Sequence, residues 1–282
     1  MKKNLLELEL TNICNTRCIM CPVPGMKRQK GFMTRKTFKE IVRKAVDYDI
    51  KMIRFCGLGE PLLNKNFPYF LQTLKEHTHC SCELITNGSL LDEKTVKCLI
   101  RHNLDFLSIS FPSLSTGSYQ RIMKGLSFRE VLEKVLYAVR ELKKAYGVHI
   151  KITSAVFDNI NAQETEKIKH FWLQQGVDTV LLHTIHNRGG HLKYQGPPNR
   201  SSSFKRTPKP EHLSSFCPWP AGQFFIAWDG SVLLCCCDME GECNVGNIYK
   251  DEFHVMEKMQ EAIYWIQPEL CKRCSYRDAR SL

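Results

Sequence analysis

The chain has 282 residues with an ordinary apolar fraction of 43%, enough for one large α/β domain with a smaller appendage. Its 40 Lys and Arg against 29 Asp and Glu give a formal charge of +11, but the basic residues are scattered and no nucleic-acid-binding signature accompanies them, which argues against RNA or DNA as partner. No apolar run approaches the about 18 residues of a membrane span, and MKKNLLELEL leads into strand-like sequence with no cleavage site, so a cytoplasmic protein without a membrane partner is expected.

Short apolar strands alternate with amphipathic helices through the first two-thirds of the chain. The strands are predicted at Leu5–Leu10, Lys51–Cys56, Cys82–Thr86, Phe106–Ser110, His149–Val156 and Thr179–His183. Between them, apolar positions at a three-to-four residue period predict helices at Thr34–Asp47, Phe67–His77, Asp92–Arg101, Phe128–Tyr146 and Gln163–Gln174. Six such βα units imply a parallel sheet, either doubly wound or curled into a partial barrel. After Arg188 the pattern gives way to a basic stretch rich in Pro, Gly and Ser, read as a linker over residues 191–215. From Phe216 a second unit is expected: a hairpin of Gln223–Trp228 and Val232–Cys235 about Asp229-Gly230, a helix near Glu252–Ile263, and a closing Cys271-Lys272-Arg273-Cys274. So small a unit builds little core, and a bound metal would help hold it together.

Fourteen cysteines are too many for inert core residues of such a chain, and disulfide frameworks suit small secreted domains, so metal ligation is the economical expectation. Cys14, Cys18 and Cys21 follow the first strand directly, on a loop at the carboxyl end of a barrel strand, where such folds place their chemistry. Three thiolates can ligate three irons of a cubane cluster and leave the fourth open to a ligand. Zinc also accepts thiolates but needs a fourth ligand, and none is nearby in sequence.

The C-x3-C-x2-C spacing, with Met20 before the last cysteine, closely resembles the radical S-adenosylmethionine (SAM) superfamily. The second strand ends Gly57-Leu58-Gly59-Glu60-Pro61, similar to that family's Gly-Gly-Glu-Pro segment with Leu58 interposed. The glycines would let backbone approach a ligand, and Glu60 offers an acceptor to a cationic amine. The resemblance implies a partial (β/α)6 TIM-like barrel over residues 1–190 and SAM as cofactor. It also implies SAM contacts from Met20, Gly57, Gly59, Glu60, Pro61, Asn87, Ser108, Ser110 and Arg121. Strand serines and helix arginines equally serve structural or solvated roles.

Cys217, Cys235 and the terminal Cys271-x2-Cys274 resemble the SPASM/Twitch extension of the same enzymes, placing a small α+β auxiliary-cluster domain over residues 216–282. The resemblance makes these four the ligands of an auxiliary 4Fe-4S cluster, and Cys14, Cys18 and Cys21 those of the SAM cluster. On spacing alone a zinc ribbon competes for the C-terminal set. Cys236 could replace Cys235 as ligand, and Cys236 or Cys237 could be a thiol that returns a hydrogen atom to a substrate radical, the plain alternative being small buried hydrophobes. Asn187-Arg188-Gly189-Gly190 is similar to segments of SPASM/Twitch enzymes, which makes Arg188 a candidate for substrate or SAM contact.

The function implied is reductive SAM cleavage to a 5′-deoxyadenosyl radical, followed by hydrogen abstraction that leads to oxidation or epimerisation of a sugar-like, aminocyclitol-like or other natural-product intermediate. A reducing partner such as flavodoxin or ferredoxin is implied with it. A peptide-modifying maturase is the main alternative, with the basic stretch Lys193–Lys209 to hold an acidic peptide. Against it, the first strand begins almost at Met1 and leaves no room for an upstream leader-binding domain. A non-catalytic iron–sulfur electron carrier would explain the cysteines but not the segment Gly57–Pro61.

Overall fold

The computed structural model describes residues 3–145, 147–192 and 217–275. Six parallel strands form the main sheet: β1 (Leu5–Glu9), β2 (Met52–Cys56), β3 (Ser81–Thr86), β4 (Phe106–Ser110), β5 (His149–Ala155) and β6 (Thr179–His183). The helices α1 (Arg35–Tyr48), α2 (Phe67–His77), α3 (Glu93–Arg101), α4 (Thr116–Ile122), α5 (Phe128–Lys144) and α6 (Thr165–Gln174) lie between them in the chain. The result is the partial barrel, and apart from α4, which was not expected, each boundary falls within a few residues of expectation. Thr34 caps α1 by accepting from the Thr37 N–H at 3.1 Å, and Asp92 caps α3 by accepting from Thr95 at 2.8 Å.

Strand alternation sorts side chains to two faces. Leu6 and Leu8 of β1, Ile53 and Phe55 of β2, and Leu84 of β3 are buried in one core with the inner faces of the helices, where Phe38 of α1 stacks on Phe70 of α2 at 4.5 Å between ring centroids. Each such side chain contributes roughly 1.5–3 kcal/mol through burial.

The opposite face is polar. Gln223 donates to Glu7 at 2.6 Å, Arg54 bridges Glu7 at 2.9 Å and Glu83 at 2.6 Å, and Glu83 also accepts from Ser108 at 2.5 Å and from Lys151 at 3.1 Å. Burial by itself would raise the Glu83 carboxyl; Arg54, Ser108 and Lys151 more than reverse it and hold the group below its ordinary value.

The C-terminal segment comprises α7 (Pro218–Gly222), β7 (Gln223–Ile226), β8 (Ser231–Leu233), β9 (Asn244–Asn247), α8 (Phe253–Trp265) and α9 (Glu269–Arg273). β7 pairs in parallel with β1, from Leu5 opposite Gln223 to Leu8 opposite Ile226, and β8 and β9 follow antiparallel. One sheet therefore runs β6-β5-β4-β3-β2-β1-β7-β8-β9. The segment shares the barrel's core, because Phe253 of α8 stacks on Phe224 at 4.8 Å and both meet Tyr48 of α1. Four short elements, α4, α7, β9 and α9, escaped the sequence pattern because helices of five to seven residues and a four-residue strand containing two asparagines carry no apolar period. Residues 193–215 of the expected linker lie outside the described residues, and among those described no helix is long and apolar enough to cross a membrane.

The Glu7–Arg54–Glu83 bridge yields a stability prediction. Arg54→Met leaves two buried carboxylates without their shared cation and should destabilise the chain by about 3–5 kcal/mol in urea denaturation. Lys151→Met, at a side chain 29% exposed, should cost clearly less.

Candidate active site

The first cysteine loop leaves β1 and is tied off at its base. Thr11 donates to the Gly31 carbonyl at 2.7 Å, Asn12 donates to Gln29 at 2.8 Å, and Gly31 N–H returns a bond to Asn12 at 3.0 Å. On its far side the loop is held by the end of α4: Arg17 N–H bonds Lys124 at 2.8 Å, Ile19 N–H bonds Ile122 at 3.0 Å, and the Cys18 Sγ lies 3.3 Å from the Met123 sulfur. Cys14, Cys18 and Cys21 are thus half-buried and close enough to influence one another's ionisation; burial pushes Cys14 up to about 11 and Cys18 up to about 12. A bound cation reverses that bias, since the ligand form is the thiolate.

A hydrogen-bond chain joins this loop to β2 and β3. Glu60 is buried and accepts from Leu62 N–H at 3.2 Å, the Thr86 hydroxyl at 2.7 Å and Asn87 N–H at 2.8 Å. Burial pushes its carboxyl up to about 7 against these three donors. Asn87 in turn donates to Asn15 at 2.8 Å and lies 4.0 Å from the Cys14 sulfur, while Asn15 donates to Ser89 at 2.8 Å. Glu60 and Asn87 therefore brace the cysteine loop, and one acceptor position of the Glu60 carboxylate is left over from its three internal bonds.

The two glycines beside Glu60 approach protein backbone. A Cβ on Gly59 would lie 2.3 Å from the Thr11 carbonyl oxygen and 2.5 Å from that of Ile13, and Gly57 adopts a φ of 110° against Glu9. The interposed Leu58 is buried with Val23, Met26 and Met239, with Cys21 packed against the group, and so joins the cysteine loop to the C-terminal segment. Pro61 is buried and opens a short 3-10 turn, and Met20 is half-buried against the main core. Ser108 is committed to Glu83, Ser110 sits half-buried at the end of β4, and Arg121 is exposed on α4, whose next residue, Ile122, grips the loop.

The turn Asn187–Gly190 after β6 docks onto α9. Asn187 donates to the Arg273 carbonyl at 2.7 Å and accepts from Ser275 N–H at 2.8 Å, and Arg273 donates to the Gly189 carbonyl at 2.6 Å. Gly189, at φ 68°, leaves no room for a Cβ, which would lie 2.6 Å from Leu270 Cδ1 and 2.9 Å from the Cys237 carbonyl. Arg188 lies where its charge acts on Cys21, Cys236, His183 and His186. Burial, then Arg188, lowers His186 to about 3, so both imidazoles are neutral near pH 7. These histidines went unremarked in the sequence, although His183 and His186 stand within five residues of Arg188.

The consecutive cysteines part company in a tight turn closed by Asp238 N–H to the Cys235 carbonyl at 3.0 Å. Cys235 and Cys237 line one pocket with Cys217, Cys271 and Cys274. Cys236 lies within hydrogen-bond reach of Cys237 and also near Cys56, Glu7 and Arg188. Cys236, expected as a possible stand-in for Cys235, is not among the residues lining that pocket, whereas Cys237, expected as a possible hydrogen donor, is. Cys80 donates to the Ile50 carbonyl at 3.0 Å, and Cys82 and Cys243 are buried in the main core. Among the described residues no three His, Cys, Asp or Glu side chains are spaced for a single metal ion. An iron–sulfur cluster interposes its own irons and sulfides and spreads its ligands further apart, so the three-thiol loop and the thiol pocket suit it as donor sets.

Comparison with known proteins agrees with this division. The family model of the Radical SAM superfamily matches residues 8–171, and that of the SPASM iron-sulfur cluster-binding domain matches residues 217–275. A probable GTP 3′,8-cyclase of Sulfurisphaera tokodaii is 26% identical over 65% of this chain and 56% of its own length. A tungsten-containing aldehyde ferredoxin oxidoreductase cofactor-modifying protein of Pyrococcus furiosus is 27% identical over 64% of this chain and 51% of its own length. The alignments thus span about half the length of these curated relatives. Among solved structures, BtrN in complex with AdoMet and 2-DOIA has a TM-score of 0.63 at 20% identity, covering 97% of this chain and 93% of its own. Streptococcus suis SuiB bound to precursor peptide SuiA has a TM-score of 0.71 at 15% identity, covering 90% of this chain and 64% of its own. These likenesses describe the fold.

The two crowded glycines provide a paired test. Gly59→Ala should cost the Cys14–Cys21 loop its iron after anaerobic reconstitution while sparing the C-terminal set, and Gly189→Ala should do the reverse, as read by iron and acid-labile sulfide per chain.

Proposed function

We propose that this chain, which belongs to the Radical SAM superfamily, removes a hydrogen atom from an unactivated carbon of a small polar substrate, sugar-like or aminocyclitol-like, at the open end of its barrel. With a 4Fe-4S cluster on Cys14, Cys18 and Cys21, bound SAM would supply a 5′-deoxyadenosyl radical on reduction by a donor such as flavodoxin or ferredoxin. The observation that carries the reading is the position of Arg188, whose charge reaches both Cys21 of the first set and Cys236 beside the second. A substrate held there touches the radical source on one side and the C-terminal segment on the other. Arg188 offers donors to a substrate hydroxyl or carboxylate, and the neutral His183 and His186 can exchange hydrogen bonds with polar groups without adding charge. Glu60 has an acceptor position for the SAM ammonium.

Oxidation is favoured by the cysteine pocket. Cys217, Cys235, Cys271 and Cys274 would hold an acceptor for the electron released when a carbinol radical loses a proton and becomes a ketone. Epimerisation is the second reading, favoured by Cys236, whose thiol could return a hydrogen atom to the carbon radical from the opposite face, the thiyl radical so formed being reduced back to the thiol by one electron from the flavodoxin or ferredoxin donor and one proton from solvent. The near-complete mutual coverage with BtrN supports a small-molecule substrate, since a chain of this size has a counterpart fold that holds one. The fold likeness to SuiB keeps a peptide substrate as the alternative, but the basic stretch Lys193–Lys209 that would bind it lies outside the described residues.

The reduced, reconstituted protein should convert SAM to 5′-deoxyadenosine, and the Cys14/Cys18/Cys21→Ala variant should not. Complete absence of the nucleoside from the wild type contradicts the proposal. With an accepted substrate in deuterated water, oxidation leaves no deuterium at the abstracted carbon and survives Cys236→Ala. Epimerisation introduces deuterium there and is abolished by the same substitution.

A further inference from the structure

A groove of about 680 Å³ opens on the outside of the barrel, between α1, Tyr69 of α2 and Tyr249 in the turn after β9. Its charge is one-sided. Arg43 is paired with Glu40 at 2.7 Å and Asp47 at 2.9 Å, whereas Arg35, Lys36 and Lys39 are exposed and pair with no described carboxylate. Two of these three cations are held against rings: Arg35 lies 4.4 Å over Tyr69 while its Nε donates to Asn66 at 2.9 Å, and Lys36 lies 5.7 Å over Tyr249. The Tyr249 hydroxyl meets that of Thr37 at 2.9 Å, so the C-terminal segment forms one wall. The groove stands at the rim beside the first cysteine loop. Met33 N–H bonds the Leu10 carbonyl at 2.8 Å, and Phe32, 43% exposed and three residues before Arg35, pairs with Thr11 in an isolated bridge. Thr11 stands three residues before Cys14, a span of at most about 11 Å along an extended chain, and its hydroxyl accepts from Ile13 N–H at 3.1 Å.

We propose that this groove docks the acidic protein that delivers one electron to the cluster on Cys14, Cys18 and Cys21. The inference rests on the reading of that loop as a SAM-binding cluster site. One electron leaves the reduced donor and enters the cluster; no bond forms or breaks in the transfer, and the donor is left one electron more oxidised. Three cations without carboxylate partners, set around tyrosine rings, suit such a visitor. Opposite charge steers the encounter and fixes the orientation, while a small contact lets the oxidised donor leave, as the limited interfaces of electron-transfer complexes do. Position decides in favour of an electron donor over other acidic proteins. The groove adjoins the segment that closes the cysteine loop, and the Phe32–Thr11 bridge with the Thr11–Ile13 hydrogen bond gives a short covalent and hydrogen-bonded route from surface to ligand.

Two electron sources supplied to the full-length reconstituted protein test this, with the rate of 5′-deoxyadenosine formation read first with dithionite and then with photoreduced flavodoxin or ferredoxin. Lys36→Glu/Lys39→Glu should keep wild-type iron and the wild-type dithionite rate, lower the protein-driven rate about tenfold at low salt, and lose most of its salt dependence. Lys167→Glu/Lys169→Glu, which makes the same change of net charge at exposed positions of α6, should leave both rates near wild type. An unchanged protein-driven rate in the groove variant, or an equal loss in both variants, would overturn the proposal, as would a wild type that takes electrons from dithionite but from neither protein. If the charge reversal costs the chain its iron, Lys36→Gln/Lys39→Gln is judged by the same two rates. No 5′-deoxyadenosine from the dithionite-reduced wild type would overturn the reading of the cysteine loop instead, a result distinguishable because it precedes any substitution.

Discussion

Parallel pairing of β1 with β7 is the constraint on which the rest of the arrangement depends. β1 is hydrogen-bonded to β2 on one side and β7 on the other, so the strand that launches the first cysteine loop is also the strand against which the C-terminal hairpin is aligned. The register sets Leu8 opposite both Phe55 and Ile226. The carboxyl ends of β1, β2 and β7 are thereby level, and the loops that follow them, carrying Cys14–Cys21, Gly57–Pro61 and the turn to β8, meet at one end of the sheet. Trp228 shows how tightly: its indole N–H donates to Gln29 at 3.2 Å, its ring would collide with any Cβ on Gly31, and its backbone N–H reaches the Glu9 carboxylate that Arg28 also binds.

Around that frame, polar groups do the positioning and apolar groups the holding. Glu60, Thr86, Asn87 and Asn15 form a hydrogen-bonded chain in which each donor finds an acceptor, which braces the cysteine loop against β2 and β3. The polar face of the sheet carries a ladder of two acids and two bases, Glu7, Glu83, Arg54 and Lys151, that is neutral in sum. The Asn187–Gly190 turn then serves two ends at once, latching α9 through Asn187 and Gly189 while its arginine acts on Cys21 and Cys236.

Much of this was legible in the sequence where the signal is periodic or local. Phe106–Ser110 and Thr179–His183 are the strands expected, because a short alternating or apolar run between breakers admits few other structures. The cysteine spacings likewise marked their loops. What the sequence could not display were relations across the chain. Nothing local in Gln223–Ile226 says that it adds to β1, more than two hundred residues earlier, and a glycine carries no sign of whether it faces a cofactor or, like Gly59, a neighbouring carbonyl. Leu58 read as an interruption of a motif and is the apolar link from Cys21 to Met239. Three consecutive cysteines gave no clue that Cys235 and Cys237 line the pocket while Cys236 does not.

The central claim is that one sheet carries two separate iron–sulfur sites, and iron with acid-labile sulfide per chain tests it most directly. After anaerobic reconstitution the account predicts about eight irons in the wild type and about four in the Cys14/Cys18/Cys21→Ala variant. About four in the wild type and none in the variant, with zinc present, would contradict it, because the C-terminal cysteines would then form a zinc site with no electron to accept.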